Sequence, residues 1–193
     1  MANLSDFMIS RVRVKLLKIL LDQPGEMYYV RELTRLAREE INAVRRELSR
    51  LQSKGIVRSE HRGNRLYYQI STDYLFYPEL LSLVAKSSGL GQAIIKNKSK
   101  LGFVKYAFMS TGFVKGREKN PDQIDLMIIG KVILPQLNIL VQEYETKHKK
   151  ELNYSIMTED EFNYRKSRRD PFIISVITQS KIMLIGDENR LLG

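Results

Sequence analysis

The chain has 193 residues, which against a typical domain of ~150 leaves room for one large domain or two small ones, and its 43% hydrophobic and 28% charged content is that of a folding chain and not a disordered tail. The 32 Lys+Arg against 22 Asp+Glu leave a net charge of +10, which suits a polyanionic partner and equally a solvated basic surface. With no cysteine there are no disulfides, thiol nucleophiles or thiolate metal sites, and the two histidines, His61 and His148, are too far apart in sequence to suggest a metal centre or a Ser-His-Asp arrangement. The opening MANLSDFMISRVRVK lacks the pattern of a secretory signal, and apolar runs such as Leu126–Ile129 and Val132–Pro135 are too short to span a bilayer. A cytoplasmic protein without a membrane partner is expected.

In the first half, Val14, Leu17 and Leu21 recur at helical spacing until Pro24-Gly25 ends the pattern. Met27–Tyr29 is a short β-prone piece. Val30, Leu33, Leu36 and Ala37 give a second helical face, and Ile41, Val44, Leu48 and Leu51 a third, closed by Gly55 where a left-handed residue is wanted. Val57–Glu60, a turn at Arg62-Gly63-Asn64-Arg65 and Leu66–Ile70 read as a hairpin. A helix follows at Tyr77–Lys86.

The Ser-, Gly- and Lys-rich stretch up to Gly102 then reads as a connecting segment holding a helix from Leu90 to about Lys98. Beyond it come a strand at Phe103–Met109, a tight corner at Ser110-Thr111-Gly112 and a strand at Ile124–Ile129. A helix marked by Leu137, Leu140, Val141 and Tyr144 has Pro135 in its first turn, where proline costs little. A strand at Asn153–Met157, helices at Glu159–Arg168 and Phe172–Thr178, and a strand at Lys181–Ile185 complete the chain. Strands interleaved with helices predict a mixed or parallel sheet under helical cover. The division expected is 1–88, a connecting 89–102, and 103–193, an α+β protein of two domains.

Three helices, the third ended by glycine, then an arginine-tipped hairpin, are in the order of a winged helix. The stretch from Tyr28 to Ile70 resembles the winged helix-turn-helix of ArsR-like transcriptional regulators through VREL, the run from Val44 to Leu51, and RGNRLYY. It departs from them in the turn, where Ala37-Arg38-Glu39-Glu40 lacks the usual glycine. With Ile41, Val44, Leu48 and Leu51 inward, Asn42, Arg45, Arg46, Ser49 and Arg50 face outward. A helix of that make-up can enter a major groove about 12 Å wide, its arginines matching guanine and its asparagine adenine. Arg62, Asn64 and Arg65 at the hairpin tip are placed for phosphate or the minor groove. The plainer alternative is a solvated helix face whose arginines pair with neighbours such as Glu47. Glu39 and Glu40, out of place beside phosphates, would sit at the helix N-terminus or accept from a cytosine amino group.

In the second half, AFMSTGFVKGREKNPDQIDLMIIG and the segments after it resemble the small nucleotidyltransferases of the DNA polymerase β superfamily, so that half is expected as an α/β nucleotidyltransferase-like mixed sheet with helices. That family holds a triphosphate at a Gly-Ser corner and two Mg²⁺ ions on two or three carboxylates. The corner falls here on Thr111-Gly112, with the order altered, and the first aspartate of the Asp-x-Asp pair falls on Gln123, leaving Asp125. Asp122 is one residue off and would point to the other face. Two hard cations on one carboxylate would repel, so no catalytic residues, metal or cofactor are expected. Asp125 is then a strand-end carboxylate capped by backbone or paired with Lys115 or Arg117, while Lys105, Lys115 and Arg117 leave room for a small-molecule or nucleotide effector. The run from Arg165 to Arg169 reads as a solvated helix end.

The reading is a transcription regulator that binds double-stranded DNA as a homodimer, its second domain an inactive sensor or scaffold. Two rivals stay open: an active, antitoxin-like nucleotidyltransferase modifying a nucleic acid or protein, and an interaction module whose winged helix binds protein.

Overall fold

The structure is a computed structural model that describes residues 8–116 and 123–193, and its fold is mixed α+β, with ten helices and two small sheets among them. Arg117, Pro121 and Asp122 lie outside the described residues. None of the helices is long and apolar enough to cross a membrane. The chain divides into two compact units, Met1–Ser88 and Gly89–Gly193. The helix expected in the connecting stretch belongs to the second.

In the first unit α1 (Arg11–Asp22) starts at Ser10, whose Oγ accepts the N–H of Arg13 at 3.2 Å and so satisfies one of the helix's open donors. Its inner stripe is wider than the three residues read from the sequence, since Leu16 and Leu20 are buried with Val14, Leu17 and Leu21. The β-prone piece becomes a two-residue strand, β1 (Tyr28–Tyr29), on the edge of a sheet ordered β1-β3-β2. α2 (Val30–Ala37) follows at once. Its buried line runs through Leu33 and Ala37, whereas Leu36, expected inward, is exposed. At 100° per residue Leu36 lies about 60° to the far side of Leu33, outside the narrow contact of a two-turn helix.

α3 (Ile41–Ser53) buries Val44, Leu48 and Leu51. It closes as the sequence predicts: Gly55 takes φ 70°, its N–H reaches Gln52 O at 2.9 Å, and the N–H of Ile56 reaches Leu51 O at 2.9 Å. The hairpin of β2 (Val57–Arg62) and β3 (Arg65–Ile70) pairs Arg62 with Arg65 across Gly63-Asn64. Gly63 alone has positive φ there, the pattern of a tight two-residue turn with glycine first. α4 (Tyr77–Ser87) then packs on α1.

The second unit opens with α5 (Gly89–Lys96). Its four-stranded sheet has the order β6-β5-β4-β7, from β4 (Gly102–Ser110), β5 (Leu126–Val132), β6 (Tyr154–Met157) and β7 (Lys181–Ile185). Only β5 and β6 run parallel, and α7 (Leu134–His148) makes the crossover that a parallel pair requires. Leu126 to Ile129 are all buried because both faces are covered. Met127 and Ile129 join a core with Phe162 of α8 (Glu159–Ser167) and Ile173, Val176 and Ile177 of α9 (Pro171–Thr178), while α5 and α7, carrying buried Leu90, Ile94, Leu137 and Val141, close the other face. α6 (Thr111–Val114) is a single turn after β4, and α10 (Glu188–Leu192), which the sequence reading does not include, adds Leu191 to the core.

Candidate nucleic-acid interface

Burying Val44, Leu48 and Leu51 fixes the rotation of α3, and Asn42, Arg45, Arg46, Ser49 and Arg50 are all exposed on its outer side. Glu47 is a correction to the sequence reading. It does not stand among solvated arginines but is buried, 3% exposed, on the inner side of the helix. Arg13 Nε donates to it at 2.6 Å and Ser10 Oγ at 3.2 Å, both from the start of α1. Arg50 is the one outward residue drawn toward it, with Nη1 at 3.7 Å.

Both acidic residues before α3 have structural partners. Glu40 is its N-cap and accepts the N–H of Ala43 at 2.9 Å; backbone bonds from Asn42 and Ala43 hold its carboxyl below the ordinary carboxylate range. Glu39 accepts from Lys15 at 2.6 Å and Arg11 at 2.9 Å, which lowers its carboxyl too. The turn without glycine is made by Arg38, in the left-handed region at φ 51°, ψ 51°.

At the hairpin tip Arg62, Asn64 and Arg65 are exposed. Arg62 shares a surface ion pair with Glu60 at 3.1 Å, and the Arg65 guanidinium lies over the Tyr29 ring, 4.9 Å from its centre. The β1–β3 pairing sets Tyr29 opposite Tyr67, and the start of α2 thereby comes beside the hairpin. A cleft of about 400 Å³ results, with Tyr29, Arg31, Arg45, Asn64 and Arg65 in its walls. It brings α3 and hairpin residues together, and it adds Tyr29 and Arg31, which the sequence reading missed. Arg31 is two residues past Tyr29 of the β-prone piece, just after a short edge strand hands over to a helix. Three guanidinium groups around one opening make a receptor for phosphate oxygens.

In the second unit the expected corner is the β4–α6 junction. Ser110 is buried and its Oγ caps α6, accepting the N–H of Phe113 at 3.1 Å. The N–H groups of Ser110 and Thr111 donate to the carbonyls of Asp125 and Ser180, each at 2.9 Å. Thr111 and Gly112 are the first two residues of α6. Gln123 is exposed, and its carbonyl accepts from Asn153 Nδ2 at 2.8 Å. Asp125 is half-buried; its Oδ2 accepts the N–H of Asn153 at 3.0 Å, and its own N–H donates to the Asn153 carbonyl at 2.7 Å. Among the described residues no three His, Asp or Glu side chains stand together as a metal site.

Lys105 does not join that corner. It is the extra residue of a bulge, where the β4–β5 register steps from Val104–Gly130 to Tyr106–Ile129, and its ammonium pairs with Glu159 at the start of α8. Five residues of strand, about 16 Å, separate it from Ser110. The basic run at the end of α8 is tied down locally: Arg165 pairs with Glu161 at 3.0 Å, Lys166 donates to Leu191 O at 2.9 Å, and Arg168 lies over the Tyr164 ring.

No family model, curated protein or solved structure matches the chain.

Proposed function

We propose that this protein is a cytoplasmic, DNA-binding transcription regulator whose first unit is a winged helix-turn-helix of the ArsR-like kind. The observation that carries the reading is the outward face of α3. Val44, Leu48 and Leu51 on its inner side are at most 1% exposed while Asn42, Arg45, Arg46, Ser49 and Arg50 stand exposed, beside a hairpin tip bearing Arg62, Asn64 and Arg65. A rigid helix with that chemistry fits a major groove, and the Arg31, Arg45 and Arg65 cleft fits the adjoining phosphates. One such head reads few base pairs, so a homodimer on paired half-sites is the binding species.

The second unit is read as a nucleotidyltransferase-like domain that has lost its chemistry and serves as sensor or scaffold. Gln123 in place of an aspartate, and Asp125 engaged by backbone, support that reading.

The test is titration of duplex DNA across salt concentrations. If about six phosphates are contacted, log K falls against log[salt] with a slope near roughly −5. Arg46→Ala should cost about 1–3 kcal/mol on the selected site and relax base preference there, while Arg65→Ala should weaken all sequences alike. A flat salt slope, or equal unselective losses from both, would overturn the assignment of α3 as reader.

A further inference from the structure

An outward-reading helix does not need a carboxylate on its inner side. Glu47 nevertheless sits there, 4% exposed as a side chain, in the contact between α3 and α1. Replacing a buried ion pair with well-packed apolar residues is commonly neutral or stabilising, so holding α3 against α1 does not require the charge. What a charge adds is direction. Both carboxylate oxygens are used, Oε1 by Arg13 Nε and Oε2 by Ser10 Oγ. Ser10 also caps α1, so one hydroxyl ties the start of α1 to the middle of α3. Eight residues upstream of Glu47, Glu39 is gripped by Lys15 and Arg11 of the same helix, and Lys15 donates to the Ala37 carbonyl at 2.9 Å as well. Four residues at the start of α1, Ser10, Arg11, Arg13 and Lys15, therefore hold two carboxylates, one just before α3 and one in its middle. Two anchor points along a helix fix its tilt as well as its rotation, which a greasy contact alone leaves softer.

We infer that Glu47 is a positioning residue for DNA reading: through Arg13 and Ser10 it sets the orientation of α3, and through Arg50 it sets how far an outward guanidinium is available to DNA. This rests on the DNA-binding reading above. Arg13 and Arg50 approach one carboxylate at different oxygens, the first Oε1 at 2.6 Å and the second Oε2 at 3.7 Å, and share its charge. While Arg13 holds Glu47, Arg50 is only loosely drawn in and stays 69% exposed. Without Arg13, the buried charge draws more strongly on Arg50, already 3.7 Å away, and pulls it off the outward face. Without the Glu47 charge, Arg50 is released and α3 loses one of its two anchors.

On DNA of arbitrary sequence the consequences are opposite in sign, which a purely structural role would not produce. The experiment is fluorescence anisotropy with the full chain on two duplexes, one recovered by selection from a random library and one scrambled version of it, over a range of salt. Glu47→Gln should bind the scrambled duplex as tightly as wild type or more so, yet lose about tenfold on the selected one, the worth of roughly one good base contact. Arg13→Gln should weaken both duplexes and make the salt slope shallower by about 0.9, one phosphate contact fewer. Arg13→Lys should restore most of both. Ser10→Ala, a mild change at one oxygen, covers the event that Glu47→Gln does not fold, and should lower the ratio between duplexes in the same direction. Amide hydrogen exchange without DNA reads the anchor directly: Glu47→Gln should speed exchange in α3 more than in α4. The inference is overturned if the ratio between duplexes is unchanged in Glu47→Gln and Ser10→Ala, or if every variant weakens both duplexes in proportion to its lost melting temperature. A wild type that binds neither duplex, with exchange in α3 still dependent on Glu47, would instead overturn the DNA-binding reading and leave the anchor standing.

Discussion

Lys15 Nζ lies 2.6 Å from Glu39 Oε1, joining α1 to the turn that introduces α3. This bond, with a second from Arg11, holds the Glu39 carboxyl below the ordinary carboxylate range; at Glu40, bonds from backbone N–H groups do the same. A carboxyl lowered by folding contributes fully above its unfolded value, and the contribution is lost as pH falls through the folded one. Glu39→Gln and Glu40→Gln should therefore melt below wild type at neutral pH, and the gap should close on acidification from about pH 7 to about pH 3. Thermal melts across that range check it. A gap that stays constant would show that the carboxylate charges contribute nothing to holding the turn.

Arg38 provides a second test. It makes the turn between α2 and α3 at φ 51°, ψ 51°, where a side chain is strained and glycine is not. Its N–H reaches Arg35 O at 3.3 Å, and the N–H of Glu39 reaches Thr34 O at 3.4 Å, so backbone bonds hold the geometry without help from the arginine side chain. Arg38→Gly should stabilise the protein by about 1 kcal/mol, less a few tenths for the extra freedom of an unfolded glycine. Arg38→Val, branched at Cβ, should destabilise it. A chemical-denaturation midpoint that falls in Arg38→Gly would mean the arginine makes a stabilising contact that outweighs the strain.

What the sequence made legible was local. The closing glycine of α3, the arginine-flanked hairpin turn and the apolar rows of α1 and α3 depend on residues within a few positions of one another. The outward set on α3 followed from the same periodicity. Glu47 shows where that reasoning stops: its polar type places it outside, and it is Arg13 and Ser10, 34 and 37 residues earlier, that make burial tolerable. Leu36 errs the other way, an apolar residue beside a helix contact too narrow to take it. Lys105 is displaced by a bulge that the alternation of β4 does not reveal, and Arg31 gains its place only when Tyr28 and Tyr29 pair with Tyr68 and Tyr67. α10, five residues long, is shorter than a helical pattern can signal, although Asp187, accepting the N–H of Arg190 at 3.0 Å, is an ordinary start.

The remaining prediction concerns Asp125, the one aspartate of the expected pair that the chain retains. Its Oδ2 accepts the backbone N–H of Asn153, and the same two residues are bonded through their backbones, so the side chain helps fasten β5 to the entry of β6. Asp125→Ala should then cost about 1–2 kcal/mol of stability, the loss of a partner for a half-buried N–H, whereas Asp125→Asn, which keeps an acceptor oxygen, should cost less. On the chemistry, two metal ions need at least two carboxylates, and Gln123 offers a carbonyl without charge. Wild type incubated with each labelled nucleoside triphosphate and Mg²⁺ or Mn²⁺ should transfer nothing to itself, to tRNA or to co-expressed protein. Gln123→Asp should remain silent as well, because the Ser110 and Thr111 amides at the corner are already bonded to Asp125 and Ser180. Transfer by wild type that disappears in Asp125→Ala, at a temperature where that variant is still folded, would make the second unit an enzyme. Silence in all of them, with DNA binding kept by the folded variants, would leave Asp125 a fastening between two strands.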